Sequence, residues 1–240
     1  MIRWLAAFAL WAVPAWAEPL RIGTDGDYAP FSFYDDAGRL TGFDIAVADA
    51  ICAAGGFDCE WTVMPFVDLT ASVQAGRIDI AIASMADTPA RRLLVDFSRP
   101  YRRDDSGPSV GAFAALTPGL SAEGMLAGVL DGSIHADYLA GIGHPLRAYP
   151  DVSAMIDALQ RGEVQVIFDG YGHLDQMIEN GFAALRLIET AEVPGYPTAI
   201  AISKKQPDLR RMIDEILTEM EISGQLDELD AFWFPEGQVL

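Results

Sequence analysis

Two apolar spacings alternate along this chain, and they predict alternating strands and helices. Short, nearly continuous apolar runs at Leu20–Thr24, Glu60–Val63, Ile78–Ala83 and Val164–Phe168 predict strands, most of them covered on both faces as in parallel sheets. Between them lie segments of helical period. Asp44–Ala54 carries apolar residues at Ile45, Val47, Ala48, Ile51 and Cys52, with Asp44 placed to cap the helix. Leu69–Gln74 reads as a short helix. Thr88-Pro89 opens another, with Thr88 or Asp87 as cap and Pro89 at its first position. Phe31–Tyr34 and Leu40–Thr41 flank the turn Asp35–Gly38 and predict a hairpin-like ribbon. Further on, strands are expected at Val129–Leu130 and Pro145–Tyr149, and helices at Ile134–Ala140, Val152–Gln160 and Gly172–Asn180. Thr198–Ile202 is an apolar strand preceded by Pro194, Gly195 and Pro197. Pro207–Ser223 is amphipathic through Leu209, Met212, Ile213, Ile216, Leu217 and Met220.

A weak internal repeat organises these elements. Val73–Ser84 lines up with Leu159–Gly170: a helix end, a stop at Gly76 or Gly162, then an apolar strand. The match is also what generic α/β grammar produces. Two similar α/β lobes follow from it, with Ser84 and Asp169 at the carboxyl ends of related strands, where open α/β sheets bind ligands. Likewise, Leu20–Phe31 reads as a strand running into a loop that presents Asp25 and Tyr28, a carboxylate and an aromatic suited to a small cationic or zwitterionic ligand. The expected division is residues 18–106 for the first lobe, 107–196 for the second, and 197–240 returning to the first as a crossing strand and C-terminal helices. The boundary is placed at Gly107-Pro108.

The N-terminus and the charge narrow the setting. Arg3, the apolar run Trp4–Val13 and Ala15-Trp16-Ala17 have the order of an export signal over residues 1–17. That run is shorter than the roughly 20 residues a bilayer span needs, although a membrane anchor is the competing reading. Loss of Arg3 would take the net charge from −19 to −20. Nucleic acid and anionic membranes are therefore unlikely partners, and solubility accounts for the charge. The two cysteines, Cys52 and Cys59, are close in sequence and predict a disulfide in an oxidising compartment. Closing such a loop is worth about 2.5 kcal/mol on a chain-entropy basis. His135, His144 and His173 show no metal-ligand spacing, and no cofactor is called for.

Several motifs together resemble the periplasmic amino-acid-binding proteins of ATP-driven importers, bacterial extracellular solute-binding family 3. They are Gly23-Thr-Asp-x-x-Tyr-x-Pro-Phe31, Gly42-Phe-Asp-Ile45, the Cys52–Cys59 pair, Gly76-Arg-Ile-Asp-Ile80, Thr88-Pro-x-Arg91 and Val95-Asp-Phe-Ser98-x-Pro-Tyr101. Val129-Leu-x-Gly-Ser133 and Phe168-Asp169 match more loosely. The resemblance implies a two-lobe fold of the type II periplasmic-binding-protein class, with two crossing strands and a ligand cleft between lobes that closes by a hinge. It also implies a monomer, a small zwitterionic ligand and a membrane permease as partner, without catalysis. In this scheme Arg91 holds the ligand carboxylate through paired hydrogen bonds, aided by its place in a first helical turn. Asp169 takes the ammonium, Asp25 the side chain or ammonium, and Tyr28 and Phe66 stack on the ligand. Ser84 offers a hydroxyl, and Ser133 brings a helix N-terminus to the carboxylate.

Two positions depart from the family pattern. Ala86 and Ile134 stand where hydroxyl residues are usual, each removing a hydrogen bond to the ligand. Asp87 and His135 are then the residues that could replace them for an unusual ligand. The departures also keep two other classes open. One is a partner of a periplasmic quinoprotein dehydrogenase with an altered cleft. The other is a cyclohexadienyl-dehydratase-like enzyme, for which His135, Asp169 or Asp87 would supply a proton. Gly141-Ile-Gly143 lacks the third glycine of a dinucleotide loop, and Arg99–Asp105 reads as a solvated stretch near the lobe crossing.

Overall fold

A computed structural model describes residues 18–102, 109–180 and 182–235. The export signal and the Gly107-Pro108 boundary lie outside these residues. The first part of the chain runs β1 (Leu20–Thr24), β2 (Asp27–Tyr28), β3 (Ser32–Tyr34), β4 (Leu40–Thr41), α1 (Phe43–Gly55), β5 (Cys59–Val63), α2 (Phe66–Ala75), β6 (Ile80–Ala81), α3 (Pro89–Arg92) and β7 (Asp96–Pro100). It continues through β8 (Ser109–Ala115), β9 (Ala127–Leu130), α4 (Ile134–Gly141), β10 (Leu146–Tyr149), α5 (Val152–Gln160), β11 (Val166–Gly170), α6 (Tyr171–Glu179) and β12 (Arg186–Val193). The chain then returns with β13 (Ala199–Ile202), α7 (Pro207–Ser223) and α8 (Gln225–Trp233).

These elements build two lobes of matching design. One sheet has the order β5-β1-β6-β13-β7 and the other β10-β9-β11-β8-β12. In each, three strands run parallel, the fourth (β13 or β8) runs against them, and the fifth (β7 or β12) pairs antiparallel with the fourth. The repeated segments of the sequence end in β6 and β11, which occupy the same third place in their sheets. Gly76 and Gly162 stop the preceding helices in left-handed conformation, at φ 75° and 70°. β13 enters the first sheet from the far end of the chain and pairs with β6 and β7.

The apolar stripes of the sequence become the core. Ile22, Ile80, Ile200 and Ile202 from the sheet pack against Val47 and Ile51 of α1 and against Leu209, Ile213, Leu217 and Met220 of α7. Cys52 of α1 and Cys59 at the start of β5 are joined by a disulfide, with Cα atoms 6.3 Å apart. β2, β3 and β4 form a separate three-stranded ribbon, from which Tyr28 of β2 reaches the site described below.

Several expectations need correction. The second sheet is entered through β8, not through Val129–Leu130. β8 is rich in Gly and Ala, and it lies between β11 and β12 where small side chains fit close packing. β7 and β12 were not anticipated as strands. α2 begins at Phe66, three residues earlier than its period suggested. Asp44 is not the cap of α1: Gly42 holds that position, and the Asp44 side chain reaches across to Ser84 and Tyr101. Arg99 and Arg102 are not a solvated stretch. The Arg99 amide donates to Asp214 at 2.7 Å, and the Arg102 guanidinium lies 4.3 Å from the Phe234 ring.

Candidate functional site

The carboxyl ends of β1, β6, β9 and β11 meet where the two lobes face each other, around a cavity of about 80 Å³. Its walls carry Asp25, Tyr28, Phe66, Ser84, Ala86, Arg91, Ser133, Ile134, His135 and Asp169, together with Ala83 and Leu130. Every sequence-predicted site residue except Asp87 is thus brought to one place. Asp87 instead pairs with Arg92 outside the cavity. Ala83 and Leu130 carry no chemistry that the sequence could have flagged.

Arg91 is the cation of the cavity. Thr88 caps α3, its side chain accepting from the Arg91 amide at 3.2 Å. The guanidinium donates to the carbonyls of Ala86 (2.6 Å) and Gly132 (2.9 Å) and lies 5.1 Å from the Phe66 ring. Phe66 therefore supports Arg91 as well as lining the cavity. No carboxylate lies within ion-pair distance of Arg91 among the described residues, and burial brings its pKa down to about 10. A desolvated cation without an anion is a place for one. α3 spans only four residues, so the helix dipole that the sequence suggested contributes little.

The Ser84 corner is held from behind. Ser84 sits at φ 44°, a left-handed conformation unusual for serine. Its amide donates to Asp44 at 2.6 Å, and the other Asp44 oxygen accepts from Tyr101 Oη at 2.7 Å. Burial raises the Asp44 pKa to about 6. Ser84 Oγ lies near Asp44 but forms no hydrogen bond of proper geometry. Asp25 is occupied by the Ser32 hydroxyl, and burial raises its pKa to about 7.

Across the cavity, Asp169 meets four protein groups, three of them at Oδ1 and one at Oδ2. Oδ1 accepts from the Gly170 amide at 2.8 Å, lies 3.0 Å from His135 Nδ1, and receives Tyr28 Oη at 3.3 Å. Oδ2 lies 3.0 Å from His173 Nδ1. Burial opposes ionisation, but the two imidazoles outweigh it and hold this carboxyl well below its usual range. Tyr28 stacks on His173 at 3.9 Å between ring centroids, so one face of its ring is taken by the protein. His173 was missed by sequence reasoning; its spacing of four residues from Asp169 was the available signal.

Ser133 caps α4 by accepting from the Ala136 amide at 3.1 Å. Gly132, at φ 72°, brings this helix start against the first lobe: a Cβ there would meet Val67 at 3.2–3.3 Å. A second cavity of about 440 Å³ shares Asp25 and Leu130 with the first and is flanked by Asp27, Met64 and Asp151. Among the described residues no helix is long and apolar enough to cross a membrane.

Comparison with known proteins agrees with this architecture. The family model for bacterial extracellular solute-binding proteins, family 3, matches residues 20–236. The lysine/arginine/ornithine-binding periplasmic protein of Escherichia coli (strain K12) is 29% identical over 231 residues, covering 90% of this chain and 88% of that protein. The L-cystine-binding protein of the same strain is 27% identical over 228 residues, covering 90% and 82%. Among solved structures, a periplasmic His/Glu/Gln/Arg/opine family-binding protein from Silicibacter pomeroyi in complex with lysine superposes with TM-score 0.82. It is 25% identical and covers 92% of this chain and 99% of its own.

Proposed function

Because the chain belongs to the bacterial extracellular solute-binding proteins, family 3, we propose that it is an exported receptor that captures an amino acid or a related small carboxylate for an ATP-driven importer. The observation that carries this reading is Arg91, half-buried at the cavity wall beside two carbonyls and an aromatic ring, with no ion pair among the described residues. The ligand carboxylate completes its coordination, with the Ser84 and Ser133 segments alongside. The ligand side chain extends toward Asp25, Leu130 and the larger second cavity, whose Asp27 and Asp151 favour a basic end group. The apolar replacements at Ala86 and Ile134 narrow the hydrogen bonding available without removing the carboxylate site. Residues 1–17 are the export signal in this reading, and the membrane permease recognises the closed form.

The test is thermal unfolding of the protein, freed of carried-over ligand by unfolding and refolding, against a panel of amino acids. A ligand at a thousand times its dissociation constant stabilises by about 4 kcal/mol, or roughly 8–16 °C for a domain of this size. A flat panel from a cooperatively folded protein overturns the proposal.

One observation favours a second reading. His135, backed by Asp169 at 3.0 Å and lining the first cavity, is placed to donate a proton. Incubation with prephenate or arogenate, followed for product, tests whether an elimination is catalysed.

A further inference from the structure

The second cavity continues the first. Asp25 and Leu130 line both, and at about 440 Å³ against about 80 Å³ the second is much the larger. An amino-acid head held between Arg91 and Asp169 needs only the first. The walls of the second come from both lobes, with Tyr34, Val63 and Met64 from one and Leu130 and Val152 from the other. One wall is closely built. Gly26 stands at φ 68°, and a Cβ there would lie 2.9 Å from Val63 and 3.3 Å from Tyr34, so both side chains close over the glycine. The same two side chains remain 39% and 53% exposed. Apolar surface of this kind, rimmed by polar groups and continuous with a ligand cavity, marks a contact surface.

Charge selects what can lie there. The lining of the second cavity includes Asp25, Asp27 and Asp151 and no Lys, Arg or His. Asp25, at the junction, accepts from the Ser32 hydroxyl through Oδ1 and makes no ion pair among the described residues. A desolvated carboxylate without a cation is a place for one. A protonated nitrogen therefore belongs at the junction, with apolar wall on its far side.

We propose that the ligand is a basic amino acid carrying an alkyl substituent on its side-chain nitrogen. The nitrogen sits beside Asp25, where a secondary ammonium or a substituted guanidinium still donates hydrogen bonds. The substituent passes Leu130 into the second cavity and covers Tyr34, Val63 and Val152. Its far end is neutral or cationic, because Asp27 and Asp151 repel an anion. This rests on the reading of the first cavity as the site of the amino-acid head.

The experiment is calorimetric titration of refolded, ligand-free protein at neutral pH with matched pairs: lysine and Nε-isopropyllysine, arginine and Nω-propylarginine. Two controls accompany them, Nε-carboxymethyllysine, which has an anionic end, and the isomer of isopropyllysine substituted on the α-nitrogen. The expected result is that the side-chain alkyl group tightens binding about tenfold, as burial of most of three carbons requires, while both controls bind more weakly than lysine. The double variant Tyr34→Ala, Val63→Ala should cut the alkyl preference at least threefold; the wild-type comparison does not depend on its folding. The proposal is overturned if the alkyl group gains less than threefold in both pairs, or if the double variant keeps the preference. It is equally overturned if the carboxymethyl or α-nitrogen compound gains as much as isopropyllysine. Amino acids that bind without any gain on substitution overturn this inference and leave the receptor standing. No binding by any amino acid overturns both.

Discussion

Replacing Arg91 with methionine separates a ligand-binding cation from a structural one. The drop in its pKa from 12.5 to about 10 corresponds to about 3 kcal/mol against keeping the charge buried. Methionine removes that cost and keeps most of the stem packing. Against it stand two hydrogen bonds from the guanidinium, to Ala86 O and Gly132 O, and the contact with Phe66. Bonds from a charged donor are worth about 1.5 kcal/mol each at the low end, and the ring contact about 0.5–1 kcal/mol. Ala86 O keeps a partner in the Thr88 amide at 3.0 Å, so only Gly132 O is stranded. The terms nearly cancel, and Arg91→Met should change the stability of the ligand-free protein by no more than about 1.5 kcal/mol. Binding should respond differently: loss of two charge-assisted bonds to a carboxylate costs at least about a hundredfold in affinity. Urea unfolding of refolded, ligand-free protein with an unchanged m-value measures the first quantity, and calorimetry the second. A destabilisation above about 3 kcal/mol, the mark of breaking a structural ion pair, would refute the reasoning. An affinity within tenfold of wild type would do the same.

Three further outcomes are expected. Asp44 has a folded pKa near 6, above its unfolded value, so its contribution is full at pH below about 4 and fades as pH rises through 6. Asp44→Asn can still accept from Ser84 and donate to Tyr101, and its stability relative to wild type should improve by about 1.5 kcal/mol between pH 5 and 8; a difference that does not move with pH contradicts the assignment. Reducing the Cys52–Cys59 bond, or replacing both cysteines with alanine, should lower stability by about 2.5 kcal/mol, read as a drop of roughly 5–10 °C in unfolding midpoint. Tyr28→Phe removes only the long 3.3 Å bond to Asp169 and should change ligand affinity less than about fivefold. Tyr28→Ala also loses the stack on His173 and should do considerably more, so equal effects of the two would argue against that stack.

The site was more legible in the sequence than the fold that carries it. Asp25, Ser84 and Asp169 could be located because each stands at the end of an apolar strand, and strand ends are where such sheets place ligands. Arg91 followed only from the resemblance of Thr88-Pro-x-Arg91 to a family motif; by itself it reads as a solvated helix cation beside Arg92. What escaped depends on tertiary neighbours. β8 is Ser-Val-Gly-Ala-Phe-Ala-Ala, a composition with little strand propensity that becomes a strand because β11 and β12 flank it. β12 carries exposed glutamates on an edge, which blurs its alternation. Arg102 sits in a run of charges, and only the fold reveals that it lies over Phe31 and Phe234. The same holds for Asp169: its position was readable, but its two histidine partners meet only when α4 and α6 converge on β11.

The contacts that bridge the lobes bear on how a ligand is held. Tyr28 to Asp169 and Arg91 to Gly132 both involve residues of the first cavity, so a ligand competes with or reinforces them directly. Asp27 is different. It accepts from the amide and hydroxyl of Ser153 at 2.7 and 2.9 Å, and lines the second cavity but not the first. A short ligand confined to the first cavity does not touch it. Asp27→Ala should therefore weaken such a ligand only by destabilising the closed arrangement, since affinity scales with the population competent to hold ligand. Two exposed hydrogen bonds are worth about 1–2 kcal/mol together, so affinity should fall roughly fivefold to thirtyfold. The change should appear in dissociation, because the latch acts after encounter. Stopped-flow displacement measures it. An unaltered dissociation rate would mean that the lobes are held by the ligand and the cavity residues alone, and that Asp27 and Ser153 merely meet once closure is complete.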